Sequence, residues 1–203
     1  VGYAGTGYVN NATGQLTFSI PTLSTTDFLM PYTPTLVYNA SLRNTYLTAT
    51  TADIAYKNCM AGYGFKLNMC ESLVQRQYYN DYGVLMTYYV WSDADGTEHA
   101  FMPTDTADMY RDEDGLLLTL SYDGSDLYTI TDADQNTRIF TRTADTIYYS
   151  NGAILKYIVD KNGNAIEFTY TAGRITKIGM RPNGGSLIDY ISLSYNSYGL
   201  VNR

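Results

Sequence analysis

Asp160-Lys-Asn-Gly-Asn-Ala-Ile-Glu-Phe168 is the stretch from which the fold of this chain is read. Asp, Asn and Gly accept the positive φ that tight turns need, Gly because it has no Cβ, Asp and Asn because their short side chains bond locally. The flanking runs at 154–159 and 165–170 are rich in Ile, Val, Tyr and Phe, residues that suit a pleated, half-buried surface. The stretch therefore predicts a β-hairpin. A two-residue Asn162-Gly163 loop sets Tyr157 opposite Phe168, a cross-strand pair of about 0.2–1 kcal/mol.

The same pattern recurs upstream. Asp93-Ala-Asp-Gly-Thr-Glu-His-Ala-Phe101 and Asp132-Ala-Asp-Gln-Asn-Thr-Arg-Ile-Phe140 share the form D-x-[DN]-[GQ]-[TN]-x-x-x-F, and Asp112-Glu-Asp-Gly115 is a partial copy. The repeated turn motif comprises Asp93, Asp95, Gly96, Asp132, Asp134, Asp160, Asn162 and Gly163. Tyr89 and Tyr128 sit four residues before their Asp, and Tyr157 three before. Further short β runs lie at 16–20, 35–38, 87–91, 116–122, 127–130 and 188–195, and a short helix at 51–60 is the main helical expectation. Turns this short join antiparallel neighbours, so an extended antiparallel meander is expected from about Thr87 onward. Counting strands places the turns at 93, 112 and 132 at one end, and the turn at 160 at the other if 146–149 forms a strand. The run at 188–195 is expected at an open edge. Residues 1–85, with Pro21, Pro31 and Pro34, read as an irregular lead-in with short strands. Residues 86–203 read as the hairpin sheet, and the whole as one continuous unit, a fragment of a longer chain.

Composition narrows the function. The chain has 203 residues, 22 of them Tyr, with one Trp and one His, and a net charge of −7. Replacing the counterions of nucleic acid takes Lys and Arg, of which there are 13, scattered, so nucleic-acid binding is not expected. No apolar run of about 18 residues is present to span a membrane. Cys59 and Cys70 are too far apart for a CxxC pair, and read as buried thiols or, alternatively, a disulfide.

Little in the sequence points to catalysis. His99 occupies a cross-strand position of the first repeat, and no nucleophile elbow accompanies it. Glu71, Glu98, Asp105, Asp108, Glu113 and Glu167 are candidates for a glycosidase carboxylate pair. Almost all other acids fall in turns. The runs from Asp132 and Asp160 match the first three ligands of an EF-hand, then miss its Gly and Glu, leaving at most weak calcium binding. No cofactor and no metal is expected. The adjacent pairs Tyr78-Tyr79, Tyr88-Tyr89 and Tyr148-Tyr149 suit sugar stacking, but in a strand each pair puts one ring on either face.

With the repeat laid out, the chain resembles the RHS/YD-repeat family. Tyr170-Thr-Ala-Gly173-Arg174-Ile-Thr-Lys-Ile178 is similar to that family's YD motif, with Thr171 in place of its Asp. Tyr195-Asn-Ser-Tyr-Gly199-Leu200 is similar to a second copy, and 13–21, 36–39 and 64–67 to the lead-in of long secreted members. The resemblance implies an all-β fold, part of a curved shell enclosing or displaying a C-terminal effector. It implies a secreted or cell-surface location, a structural and non-enzymatic role, and the remainder of the same polypeptide as partner: further repeats and an effector. The alternative is a module that binds cell-surface carbohydrate or a partner protein on a bacterial surface.

Overall fold

The computed structural model describes residues 5–9, 14–22, 24, 29–40, 60–62, 64–142, 152–172 and 174–202. The expected helix at 51–60 lies almost wholly outside them, as do 146–149, Gly173 and Cys59. The strands among the described residues fall in two sheets. The first has five, β1 (Thr6–Val9), β2 (Leu16–Pro21), β3 (Thr35–Asn39), β4 (Met60–Gly62) and β5 (Phe65–Leu67), in the order β1-β2-β3-β5-β4. The second is a sequential antiparallel meander. It runs through β6 (Ser72–Tyr79), β7 (Leu85–Ser92), β8 (Glu98–Pro103), β9 (Met109–Asp112), β10 (Thr119–Tyr122), β11 (Leu127–Thr131) and β12 (Thr137–Thr141). It continues into β13 (Gly152–Val159), β14 (Ala165–Thr171), β15 (Arg174–Arg181) and β16 (Ile188–Ser192).

The all-β, antiparallel architecture is the one the turns predict, and it also closes on itself. One side of β13 pairs with β12. Its other side is shared, with Gly152–Ile154 on β6 and Tyr157–Val159 on β14. Strands β6 to β13 thus form an eight-stranded barrel, from which β14, β15 and β16 branch as an open extension. Eight strands leave an interior just wide enough for side chains to fill, and Leu73, Tyr89, Trp91, Phe101, Leu120, Tyr128, Ile130, Phe140 and Leu155 fill it. Lys156 is an extra residue on β13, placed so that Phe140 faces Leu155 while Ile139 faces Tyr157; such a bulge bends a strand and adds twist, which suits the strand where barrel and extension part. Strand β16 pairs with β15 alone among the described strands, the edge position expected of it.

The hairpin loops differ from the expected form by one residue. At 160–164 the Gly163 N–H donates to the Asp160 carbonyl and the Asp160 N–H to that of Asn164, giving a three-residue loop with Gly163 at φ +83°. A one-residue change of register moves side chains to the other face. Tyr157 therefore pairs with Glu167, not Phe168, whereas Tyr89 pairs with Phe101 and Tyr128 with Phe140. The Tyr spacing of three rather than four before the Asp is the sequence cause. The expected strand at 116–122 begins only at Thr119, because Leu117 takes φ +59°, which no strand admits.

One caging device recurs. The side-chain Oδ1 of Asp93 accepts from the N–H groups of Asp95 and Thr97. Asp132, Asp160, Asn80, Asn196 and Asp123 do the same two and four residues on. In the loop from Asp132 the left-handed position is Gln135, at φ +67°. Glycine reaches that conformation without Cβ strain, so Gln135→Gly should stabilise the fold by about 0.5–1 kcal/mol. A fall in melting temperature would refute this account of the loop.

Candidate functional site

Because neighbouring strands are antiparallel, the turns alternate between two ends. Those at 93–97, 113–118 and 132–136 share one end, as expected. The turn at 160–164 shares it too, contrary to the strand count, because β12 and β13 pair directly with no strand between them. The turns at 80–84, 104–108 and 123–126 lie at the opposite end.

The Asp-turn end brings together a buried group of ionisable residues. Lys66 on β5 is fully buried, and its Nζ donates to the carbonyl oxygens of Cys70, at 3.2 Å, and Asp93. Burial lowers its pKa to about 8, against the raising influence of Asp93 and Glu71. Glu71, also buried, accepts from the Trp91 Nε1–H at 2.9 Å and lies 3.3 Å from the Arg138 Nε. That last contact is an ion pair without hydrogen-bond alignment, since the Nε has no hydrogen-bond partner. Burial pushes the Glu71 carboxyl up, and Arg138 and Lys66 oppose the shift.

His99, assigned from sequence to an ordinary cross-strand position, does pair with Trp91 across the ladder, and it also bridges two turns. Its Nδ1 lies 2.7 Å from the Asp114 carboxylate and its Nε2 3.2 Å from that of Asp93. Carboxylates only accept, so the two contacts are both hydrogen bonds when both ring nitrogens donate, as they do in the imidazolium form. The hydrogen bond to Asp93 raises its pKa most; burial opposes it and Asp114 adds to it. Burial pushes the Asp93 carboxyl up, but His99 and Lys66 outweigh this and hold it low. The stability that protonated His99 confers is full below the unfolded pKa of about 6.5 and is lost as pH rises through the higher folded value. Melting temperature should therefore fall more steeply above neutrality in the wild type than in His99→Gln. Lys66 contributes with opposite sign between about 8 and its unfolded value, so the difference between the two proteins is the quantity to measure. Parallel profiles would refute the bridge.

This end is also where the first sheet docks. Besides Lys66, the Asn39 side chain donates to the Asp95 carbonyl at 2.9 Å, and the Tyr8 hydroxyl donates to the Asp95 carboxylate. Cys70 beside it is disulfide-bonded, which corrects the preference for buried thiols.

The other predicted residues are dispersed. Asp93, Asp132 and Asp160 are the caging residues of their turns. Asp95 and Asp134 follow at the loop tips, Asn162 sits at the tip of its own, and Gly96 and Gly163 take positive φ. Tyr170 donates its hydroxyl to the Leu155 carbonyl and Tyr195 to the Ile175 carbonyl, both at 2.6 Å, the same latch in successive hairpins. Arg174 lies over the Tyr195 ring at 5.3 Å and fills the space where Gly199 has no Cβ. The six candidate carboxylates do not converge: Glu71 is in the buried group, Glu98 pairs with Arg76 at 3.6 Å, and Glu167 is held by Arg181 at 2.6 Å. Asp105 and Asp108 lie in the 104–108 turn, and Glu113 at the other end. Among the described residues no group of three His, Cys, Asp or Glu is placed to hold a metal, and no helix is long and apolar enough to cross a membrane, which says nothing of a barrel.

The opposite end is lined with tyrosine. Tyr122 stacks on Tyr128 at 4.6 Å, Tyr128 lies 5.3 Å from Tyr89, and Tyr89 meets Tyr110 edge-on at 4.8 Å. Arg142 sits 5.4 Å over the Tyr128 ring and donates to Gln75. Tyr89 and Tyr128 are buried, while Tyr110 and Tyr122 are half-buried at the mouth. The adjacent pairs do split across the sheet, with Tyr89 inside the barrel and Tyr88 outside; Tyr148-Tyr149 lies outside the described residues.

No protein-family profile and no curated relative matches the chain. Among solved structures, one chain of the Photorhabdus luminescens Tc holotoxin pore is similar over 83% of this chain and 8% of that one, at 12% identity and a TM-score of 0.41. This chain thus spans a small fraction of that neighbour's length.

Proposed function

We propose that this chain is a non-catalytic structural segment of a secreted or cell-wall-associated protein of the RHS/YD-repeat kind, part of a β shell that encloses or displays an effector on the same polypeptide. The observation that carries the reading is how the ionisable side chains are used. Asp93, Asp132 and Asp160 close their own hairpin loops. Glu71 and His99 hold turns and strands together, and Lys66 joins the first sheet to the barrel. The residues from which acid–base chemistry is built thus serve as joints. The repeated Tyr170 and Tyr195 latch supports a unit that extends by adding hairpins.

Antibody to the folded chain should label the surface of intact cells or the culture medium. A hydrolase activity lost in a folded His99→Ala protein, or label seen only after lysis, overturns the proposal.

A further inference from the structure

The β6–β7 hairpin is longer than the strands beside it. Its ladder runs to the pair Tyr79 and Leu85, whereas the pairing of β7 with β8 stops at Tyr89 and Phe101, and that of β6 with β13 stops at Val74 and Gly152. Alternation along β6 places Gln75, Gln77 and Tyr79 on the face of Leu73, which is the barrel's inner face. The hairpin therefore overhangs the tyrosine-lined mouth, with Tyr79 72% exposed.

We propose that this mouth is a binding site for neutral glycan chains, a role beyond the structural one. Tyr122 lies flat on Tyr128, so one ring face is committed to the core and the exposed part presents the other. Tyr110 stands beside it, half-buried, its hydroxyl beside that of Tyr89. A tyrosine ring offers an apolar face to the C–H side of a sugar, and the Tyr122 hydroxyl, which donates to the Ser125 carbonyl at 2.7 Å, keeps lone pairs that can accept from the sugar's rim. Gln77 and the Arg142 guanidinium add donors from the walls. Charge selects the class of sugar. Asp81, Asp105, Asp108, Asp123 and Asp126 all lie exposed in the three turns at this end, and among the described residues Arg142 is the cation that sits over its tyrosine rings. A field of that sign repels uronates, sialic acids and sulfated chains.

The test is retardation of the folded chain in native gels containing laminarin, yeast mannan, xylan or dextran, with polygalacturonate as the anionic comparison. At least one neutral polymer should retard it. Tyr122→Ala and Tyr110→Ala should each weaken that binding by about 3- to 10-fold, whereas Tyr122→Trp should retain it. Because Tyr79 is exposed, Tyr79→Ser weakens binding without threatening the fold, and Tyr8→Phe at the far end leaves binding unchanged. Retardation by none of the neutral polymers, by polygalacturonate alone, or to the same extent in the Tyr110, Tyr122 and Tyr79 variants overturns the proposal. Such a failure leaves the structural reading standing, since that rests on the opposite end and on the loops.

Discussion

Phe140→Ala should lower the stability of the fold by about 3–5 kcal/mol. The side chain is wholly buried on β12, with Tyr128 opposite it on one side and Leu155 on the other. Those neighbours belong to β11 and β13, so the ring fills the barrel where its circle closes. Interiors are packed as densely as organic crystals, and strands held by ladders on both sides cannot collapse into the space a ring leaves. The loss is then the transfer free energy of the ring plus the cavity. For a chain of this length the melting temperature should drop by roughly 6–20 °C. Denaturant titration measures the change directly. Tyr82→Ala, in a loop tip where Tyr82 is 90% exposed, should stay within about 0.5 kcal/mol of the parent. A loss at Phe140 below about 1 kcal/mol would mean that the barrel does not close around it.

Phe140 is also where the sequence was most readable. The three Phe residues of the repeat, Phe101, Phe140 and Phe168, are all fully buried, so one nine-residue pattern located a large part of the core. The turns were readable because their signal is local. The caging rule is local as well: Asn80 followed by Gly83, and Asn196 followed by Gly199, obey the spacing of the Asp repeats although neither begins with Asp. Loop length is not legible, because Asn-Gly also suits a two-residue turn, and only the bond from Asp160 to Asn164 distinguishes the two.

Closure of the barrel was not readable. It depends on Leu73 meeting Ala153 and on Ile154 meeting both Ser72 and Thr141, pairings between distant segments that leave no periodic mark. Strand β6 lacks apolar alternation, since Gln75 and Gln77 face inward near the mouth. The buried polar group failed to show for a related reason. A lysine in a short strand reads as solvated, and nothing around Lys66 announces that a second sheet will cover it. His99 was placed on its correct strand, but its partners Asp93 and Asp114 come from two turns brought together only by the fold.

The second large effect is expected at that buried group. Glu71→Ala should cost about 3–5 kcal/mol, the range for breaking a buried ion pair from one side. Three losses combine. The Trp91 Nε1–H, bonded to Glu71 at 2.9 Å, is left without its acceptor inside the barrel, a penalty of about 1–3 kcal/mol. Arg138, held over the Trp91 ring at 5.4 Å, loses its counter-charge. Lys66 loses one of the two carboxylates that hold its pKa up against burial. Glu71→Gln separates these contributions, because the amide oxygen still accepts from Trp91 while the charge is gone, and its cost should be the smaller. The Lys66 ammonium reports on the same event. Followed by NMR at its side-chain carbons, it should titrate below its wild-type value of about 8 in both variants. An unchanged Lys66 titration, or a loss below about 1 kcal/mol in Glu71→Ala, would show that Glu71 is a solvated surface carboxylate and not part of the buried group.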